Sequence, residues 1–204
     1  MVEKITSVKL KILKLYLSNY TAQYHVRELA KLAKKNHVTL LPHLYDLDKD
    51  KILISKKIGK NKTYSLNFDN ILTLKYIVMA EITESIEFLE HVFLIKKIAS
   101  EIFHIGFEGA ILLFGSYAKK TQTNESDIDL FYLGNIKQTD IDAIRRIGST
   151  YGKTINVKSA SLNNFELALQ KKDILVREII KNHVILQNGE RFVNALWRHY
   201  VEIS

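Results

Sequence analysis

Residues 111–133 read ILLFGSYAKKTQTNESDIDLFYL. One apolar run stops at Gly115–Ser116, a polar loop follows, and Asp127 and Asp129 stand at the head of a second apolar run. Both runs have the length and bounds of buried strands. Strand side chains alternate faces, so two aspartates at i and i+2 project from the same face. Carboxylates held that close repel one another unless cations neutralise them. Hard oxygen ligands of this kind suit Mg2+ or Mn2+, which complete their shells with water and substrate phosphates. Gly115 lets backbone approach a bulky anion closely. Ser116, at a predicted helix start, offers a hydroxyl and amide donors at the positive end of the helix dipole. A phosphate cradle facing an acid pair describes metal-assisted phosphoryl or nucleotidyl transfer. The plainer alternative is a serine that caps a helix and two aspartates in a solvated turn.

The rest of the chain is that of an ordinary globular protein. It has 204 residues, 47% of them hydrophobic and 25% charged, enough for one large domain or two modest ones. No apolar run approaches the roughly 18 residues that span a bilayer, so no membrane partner is expected. Zero cysteines exclude disulfides and thiolate metal sites and fit a cytoplasmic location. The net charge of +8 is unevenly spread. Residues 1–68 carry 14 Lys/Arg against 5 Asp/Glu, whereas residues 69–204 carry 16 against 17. Such asymmetry points to an anionic partner for the first third of the chain, the alternative being a lysine-rich soluble surface.

Within that basic third, Ile5, Val8, Ile12 and Leu15 mark one amphipathic helix. Val26, Leu29, Ala30 and Ala33 mark a second, and Leu40, Leu44 and Leu47 a third. Pro42 is tolerated only in a first turn, which predicts that the third helix starts near Leu40 or Leu41. ILISKKIGKNKTYSLN then reads as two strands around a Gly-Lys-Asn-Lys tip. The order and the stretch VTLLPHLYDLDKDKILISKKIGKNKTYSLN resemble a winged helix-turn-helix. The resemblance implies a recognition helix entering the major groove of double-stranded DNA and a wing lying along its phosphates. It places Thr39 and His43 on that helix and Lys56, Lys57, Lys60 and Lys62 on the wing. Packing against protein is the other use of such a module.

Residues 70–103 contain neither Pro nor Gly and read as one long helical segment. Met79, Ile82, Ile86, Leu89 and Phe93 fall on a heptad seam, which predicts a helix–helix contact. Packing against the chain's own C-terminal part is the expected outcome, with a homodimer the alternative. From residue 110 the pattern turns to α/β. AILLFG, IDLFYLG and TINVKSAS are strands, Asp140–Ile147, Asn163–Gln170 and Ile174–Lys181 are helices, and VILQN precedes a short closing helix.

Gly-Ser, ten residues, then Asp-x-Asp entering an apolar strand resembles the DNA polymerase β-like nucleotidyltransferase superfamily, in particular its small "minimal" members. The likeness runs from about residue 106 to 197. It implies that Gly115 and Ser116 bind the phosphates of ATP or another nucleoside triphosphate. It also implies that Asp127 and Asp129 bind the divalent metals, Mg2+ or Mn2+. Family members carry a third acid on the next core strand; KTINVKSAS holds Asn156 there. An amide oxygen can coordinate a metal but cannot take a proton, and losing such a group costs several kcal/mol of transition-state stabilisation. Glu166 on the following helix is the candidate substitute.

The expected architecture is therefore α+β / α/β. A winged helix-turn-helix (1–68) and a helical linker (69–104) lead to a nucleotidyltransferase fold (105–204), a mixed sheet flanked by helices. The expected function is nucleotidyl transfer to an unknown acceptor, with Asp127, Asp129 and Asn156 as the catalytic set. By resemblance, the acceptor includes a protein partner such as a HEPN-type toxin, with this chain as the antitoxin. The alternative is a DNA-binding regulator whose impaired transferase domain only binds nucleotide. Arg177 and His183 also satisfy the Arg-x5-His spacing of HEPN ribonucleases, but they span a helix end and a strand start. They are read as structural, and Trp197 and Tyr200 as closing the core.

Overall fold

The computed structural model describes residues 6–59 and 61–203. The chain divides into two compact units, Met1–Ala80 with Tyr200–Ser204, and Glu81–His199.

The first unit opens with helix α1 (Ser7–Lys14), started by the Thr6 side chain, which accepts from the Lys9 amide at 3.3 Å. Strand β1 (Tyr24–His25) leads into α2 (Val26–Leu32), α3 (His37–Lys49) and a hairpin of β2 (Leu53–Ile58) and β3 (Asn61–Leu66). The antiparallel sheet has the order β1-β3-β2. Leu29, Leu40, Leu44 and Leu47 are fully or almost fully buried, as expected of the second and third helices; in the first, Ile12 and the adjacent Leu13 are fully buried while Val8 and Leu15 are half-buried. Tyr16 is buried with them and its hydroxyl donates to the Tyr64 carbonyl at 2.9 Å. Burial, then the neighbouring Tyr24 and Tyr64, push its pKa far above the ordinary tyrosine value.

Helix α3 departs from the expected start. It begins at His37, because the Asn36 side chain accepts from the Val38 amide at 2.9 Å, and Pro42 lies inside it. An asparagine cap adds about 1 kcal/mol, and the buried Leu40, Leu44 and Leu47 hold the helix together around the missing proline donor. Ile5, counted in the first apolar stripe, and Lys60 lie outside the described residues.

Residues 70–103 form two helices rather than one: α4 (Ile71–His91) and α5 (Phe93–Ile105). Val92 breaks the helix with φ −115° and ψ 79°. The expected packing of the seam is found at Leu89, which packs against the core of the second unit, and not at its other members. Met79 is 40% exposed, Ile82 and Ile86 are each 53% exposed, and Phe93 68%. The inward side of α4 instead buries Leu74, Ile77, Ala80 and Phe88.

The second unit is built on strands β4 (Ala110–Phe114), β5 (Ile128–Leu133), β6 (Ile155–Ala160) and β7 (Val184–Gln187), in the order β6-β5-β4-β7. Strand β4 is antiparallel to β5 and β7, while β5 and β6 are parallel. A parallel pair requires a crossover, supplied by α7 (Gln138–Thr150). On one face of the sheet Ile111, Leu113, Leu130, Tyr132 and Ile155 pack with Ile95, Ile98 and Ile102 of α5 and Ile144 of α7. The other face meets α8 (Leu162–Gln170) and α10 (Gly189–Ile203) through Phe131, Phe165 and Phe192, whose rings stand 5.8 Å apart in sequence of contact. Helix α9 (Ile174–Lys181) precedes β7. The closing helix extends the expected GERFVNALWRHY by three residues, to Ile203, and buries Phe192, Val193, Leu196 and Trp197. Trp197 therefore belongs to the core.

Candidate functional site

The Gly-Ser turn and the acid pair meet at one end of the central strands. Strand β4 ends at Phe114, paired across the ladder with Asp129. Gly115 follows with φ +72° and opens α6 (Gly115–Lys119). Only glycine adopts that backbone without cost, and a second constraint is stricter. A Cβ at position 115 would lie 2.2 Å from Oδ2 of Asp129 and 3.1 Å from its Cγ. The Asp129 carboxylate thus rests directly on the bare Gly115 backbone. Ser116 is half-buried one residue on, its carbonyl accepting from the Thr121 amide at 3.0 Å. Among the described residues its hydroxyl takes no protein partner.

The loop from Lys120 to Asp127 is tied down locally. The Thr123 amide donates to the Ser126 hydroxyl at 2.9 Å, and Lys153 Nζ donates to the Asn124 carbonyl at 2.5 Å. The Ile128 amide donates to the Thr154 carbonyl at 2.9 Å, which starts the parallel pairing of β5 with β6. In that register Asp129 is the direct neighbour of Asn156. The Asn156 amide donates to Asp127 Oδ2 and to Asp129 Oδ1, both at 3.3 Å. One amide therefore bridges the two carboxylates. Asp127 is exposed, whereas Asp129 and Asn156 are half-buried.

Gly115, Asp127, Asp129 and Asn156 are thus brought together as expected, and Ser116 adjoins them in the chain. Glu166 is committed elsewhere, with Oε1 3.1 Å from Arg198 Nη2. Among the described residues no group of three or more His, Cys, Asp or Glu could hold a metal. The hard-oxygen set at this site is two carboxylates and one amide. It suits a cation that accepts one or two carboxylates and leaves positions for water and phosphate. Rotation of Asn156 by half a turn would offer its carbonyl oxygen in place of its NH2. Lys153 had no signal in the sequence, because its role depends on a backbone carbonyl 29 residues away.

Arg177 and His183 do not form a ribonuclease-like pair. Arg177 is exposed, while the His183 side chain is only 3% exposed. His183 Nε2 lies 3.2 Å from Glu81 Oε1, and Nδ1 lies 3.0 Å and 3.2 Å from the Ile179 and Ile180 carbonyls. Both ring nitrogens face acceptors, an arrangement that favours the doubly protonated ring. Burial opposes that charge, but Glu81 and the two carbonyls outweigh it and raise the pKa.

In the first unit, Thr39 is exposed on α3 and His43 half-buried. Lys56 and Lys57 are exposed on β2. Lys62 is engaged on β3, its Nζ 2.9 Å from Asp48 Oδ2 and 5.1 Å from the Tyr64 ring centre. Asp48 also accepts from the Ser55 hydroxyl at 2.7 Å. Burial would raise the Asp48 pKa, but Lys62 and Ser55 hold it below the usual carboxylate value. Among the described residues no helix is long and apolar enough to cross a membrane.

Residues 94–191 match the family described as Polymerase beta, Nucleotidyltransferase. The matched segment includes Gly115, Ser116, Asp127, Asp129 and Asn156. A protein of Methanocaldococcus jannaschii, provisionally named a protein adenylyltransferase, is 36% identical over 80 residues. Those residues are 39% of this chain and 56% of the relative, so the chain spans little more than half of that relative's length. Among solved structures, the crystal structure of a toxin–antitoxin with AMP-PNP gives a TM-score of 0.38 at 15% identity. It covers 52% of this chain and 84% of its own. The family match and the adenylyltransferase relative support the nucleotidyltransferase superfamily for this part of the chain.

Proposed function

We propose that the protein is a metal-dependent nucleotidyltransferase that moves the nucleoside monophosphate of ATP, or another nucleoside triphosphate, onto a protein side chain, breaking the α–β phosphoanhydride bond and releasing pyrophosphate. The observation that carries this reading is the seating of Asp129 on the bare Gly115 backbone, with Asn156 bridging it to Asp127. That arrangement couples a phosphate-approaching turn to a pair of hard-oxygen ligands. Gly115 and Ser116 would bind the triphosphate; Asp127 and Asp129 would hold Mg2+ or Mn2+, and Asn156 could join them once its amide is turned to present the carbonyl oxygen. The metal supplies Lewis-acid stabilisation of phosphate charge when bound. Asn156 orients the two carboxylates and supplies no base. The acceptor's proton therefore leaves to water or to the acceptor's own surroundings. The provisional name of the relative supports a protein acceptor, and an antitoxin acting on a HEPN-type toxin is one such pairing.

The N-terminal unit is proposed as a winged helix-turn-helix that binds double-stranded DNA. The order of three helices and a hairpin supports this, as do the exposed Lys56 and Lys57. Lys62, held by Asp48, contributes less to phosphate contact than the other two. The amide at position 156 favours a second reading, a DNA-binding regulator whose nucleotidyltransferase domain binds nucleotide without turning it over.

Transfer of label from ATP in Mg2+ to the protein's partner decides between them. Asp127→Ala/Asp129→Ala is expected to abolish transfer and nucleotide binding together. Wild-type binding of ATP without any label transfer, with the genomic neighbour's product present as acceptor, would establish the second reading.

A further inference from the structure

The outward side of α3 is apolar. Val38, Leu41 and Tyr45 follow one another at spacings of three and four and are 61%, 45% and 65% exposed. A surface helix ordinarily turns polar groups to water, and here Leu40, Leu44 and Leu47 already make the inward contact. Cations stand at both ends of the exposed stripe. Lys34 and Lys35 are exposed in the turn before the helix. One turn beyond Tyr45 the stripe reaches Asp48, which lies 2.9 Å from Lys62 Nζ and accepts from the Ser55 hydroxyl at 2.7 Å. Lys57 pairs in register with Lys62 and so shares its face of the hairpin. It is exposed there, at the C-terminal end of the stripe.

We infer that this stripe reads the C5 methyl groups of thymine in the major groove, so that the protein selects thymine-bearing duplex DNA; this rests on the DNA-binding reading above. Charge selects the occupant. Lysines at both ends of the stripe match the phosphates that border the groove, whereas an apolar patch of a protein would set no anions against them. The other bases are read by Arg or Lys at guanine, Asn or Gln at adenine, and a carboxylate at cytosine. Helix α3 holds no Arg, Asn or Gln, and its one lysine, Lys49, is its last residue. Its two acids are engaged, Asp46 by Lys9 at 2.9 Å and Asp48 by Lys62. What the helix presents is aliphatic and aromatic surface, and the thymine methyl is the apolar group that the major groove offers it.

Fluorescence anisotropy of the full chain, at one fixed salt concentration, with an alternating dA-dT duplex and a dA-dU duplex of the same length tests this. The two duplexes differ in the C5 methyl group. Loss of the methyls is expected to weaken binding roughly tenfold, as burial of two methyl groups supplies. Val38→Ser/Leu41→Ser is expected to bind both duplexes alike, at the wild-type dA-dU level. Lys57→Ala is expected to weaken both and keep their ratio. Thermal melting checks that each variant folds; should the double variant not fold, the wild-type comparison of the two duplexes decides. Equal wild-type affinity for the two duplexes, or a folded double variant that keeps the difference, would overturn the inference and leave DNA binding in place. Absence of binding to either duplex would overturn it together with the DNA-binding reading.

Discussion

Replacing Gly115 with alanine puts the central geometry under direct test. The new Cβ would stand 2.2 Å from Asp129 Oδ2, where an ordinary carbon–oxygen approach is about 3.3 Å. Either the carboxylate retreats by about 1 Å or the turn gives way. The backbone adds its own cost, since φ is +72° and a left-handed conformation costs an L-residue about 1–2 kcal/mol. Overpacking adds about 1–3 kcal/mol, at the low end here because Asp129 is only half-buried and can swing outward. The sum is about 2–3 kcal/mol. For a chain of this size that lowers the melting temperature by about 5–10 °C. A displacement of about 1 Å at a reacting centre costs roughly a hundredfold in rate. Label transfer from ATP should fall by that factor even below the new melting temperature, where the variant is folded. A Gly115→Ala protein that melts within a degree of wild type and transfers label undiminished would refute the seating of Asp129 on this turn.

Three further outcomes are expected. Asn156→Asp removes the amide that bridges the two acids and adds a third charge, so without divalent cations the melting temperature should drop by several degrees. Mg2+ should then stabilise the variant more than the wild type; equal Mg2+ shifts would contradict the assignment of Asn156 to the cation site. His183 has its folded pKa raised above the usual histidine value, with both ring nitrogens on acceptors. Its contribution to stability is complete below about pH 6.5 and is lost as pH rises through the folded pKa. Melting curves across that range should show the loss, and Glu81→Gln should flatten it; a stability that rises with pH through this window would contradict a protonated His183. Duplex DNA binding should weaken with salt, and Lys56→Ala/Lys57→Ala should lower the log–log slope by up to about 0.9 for each phosphate no longer neutralised. An unchanged slope would remove these lysines from the interface.

Sequence alone determined the features that are local. Alternation along β4 and β5, the turn glycine between them and the i, i+2 placement of Asp127 and Asp129 all follow from neighbours within a few residues. The three N-terminal apolar stripes were legible for the same reason. Features that depend on distant partners were not. The break at Val92 carries no signal, because the buried positions Phe88, Ile95, Ile98 and Ile102 keep helical spacing straight through it. The early start of α3 turned on whether Asn36 would cap, and Pro42 argued against it. Asn156 could be aligned from the sequence, but its bridging of two acids required the parallel register of β5 on β6. Burial of His183 against Glu81, 102 residues away, needed the packed interior. The heptad seam of α4 was visible in the sequence as a contact to be made. Only the tertiary structure decided that the rest of the chain leaves Met79, Ile82 and Ile86 exposed, because solvent exposure is a property of every element packed around a helix and not of the helix itself.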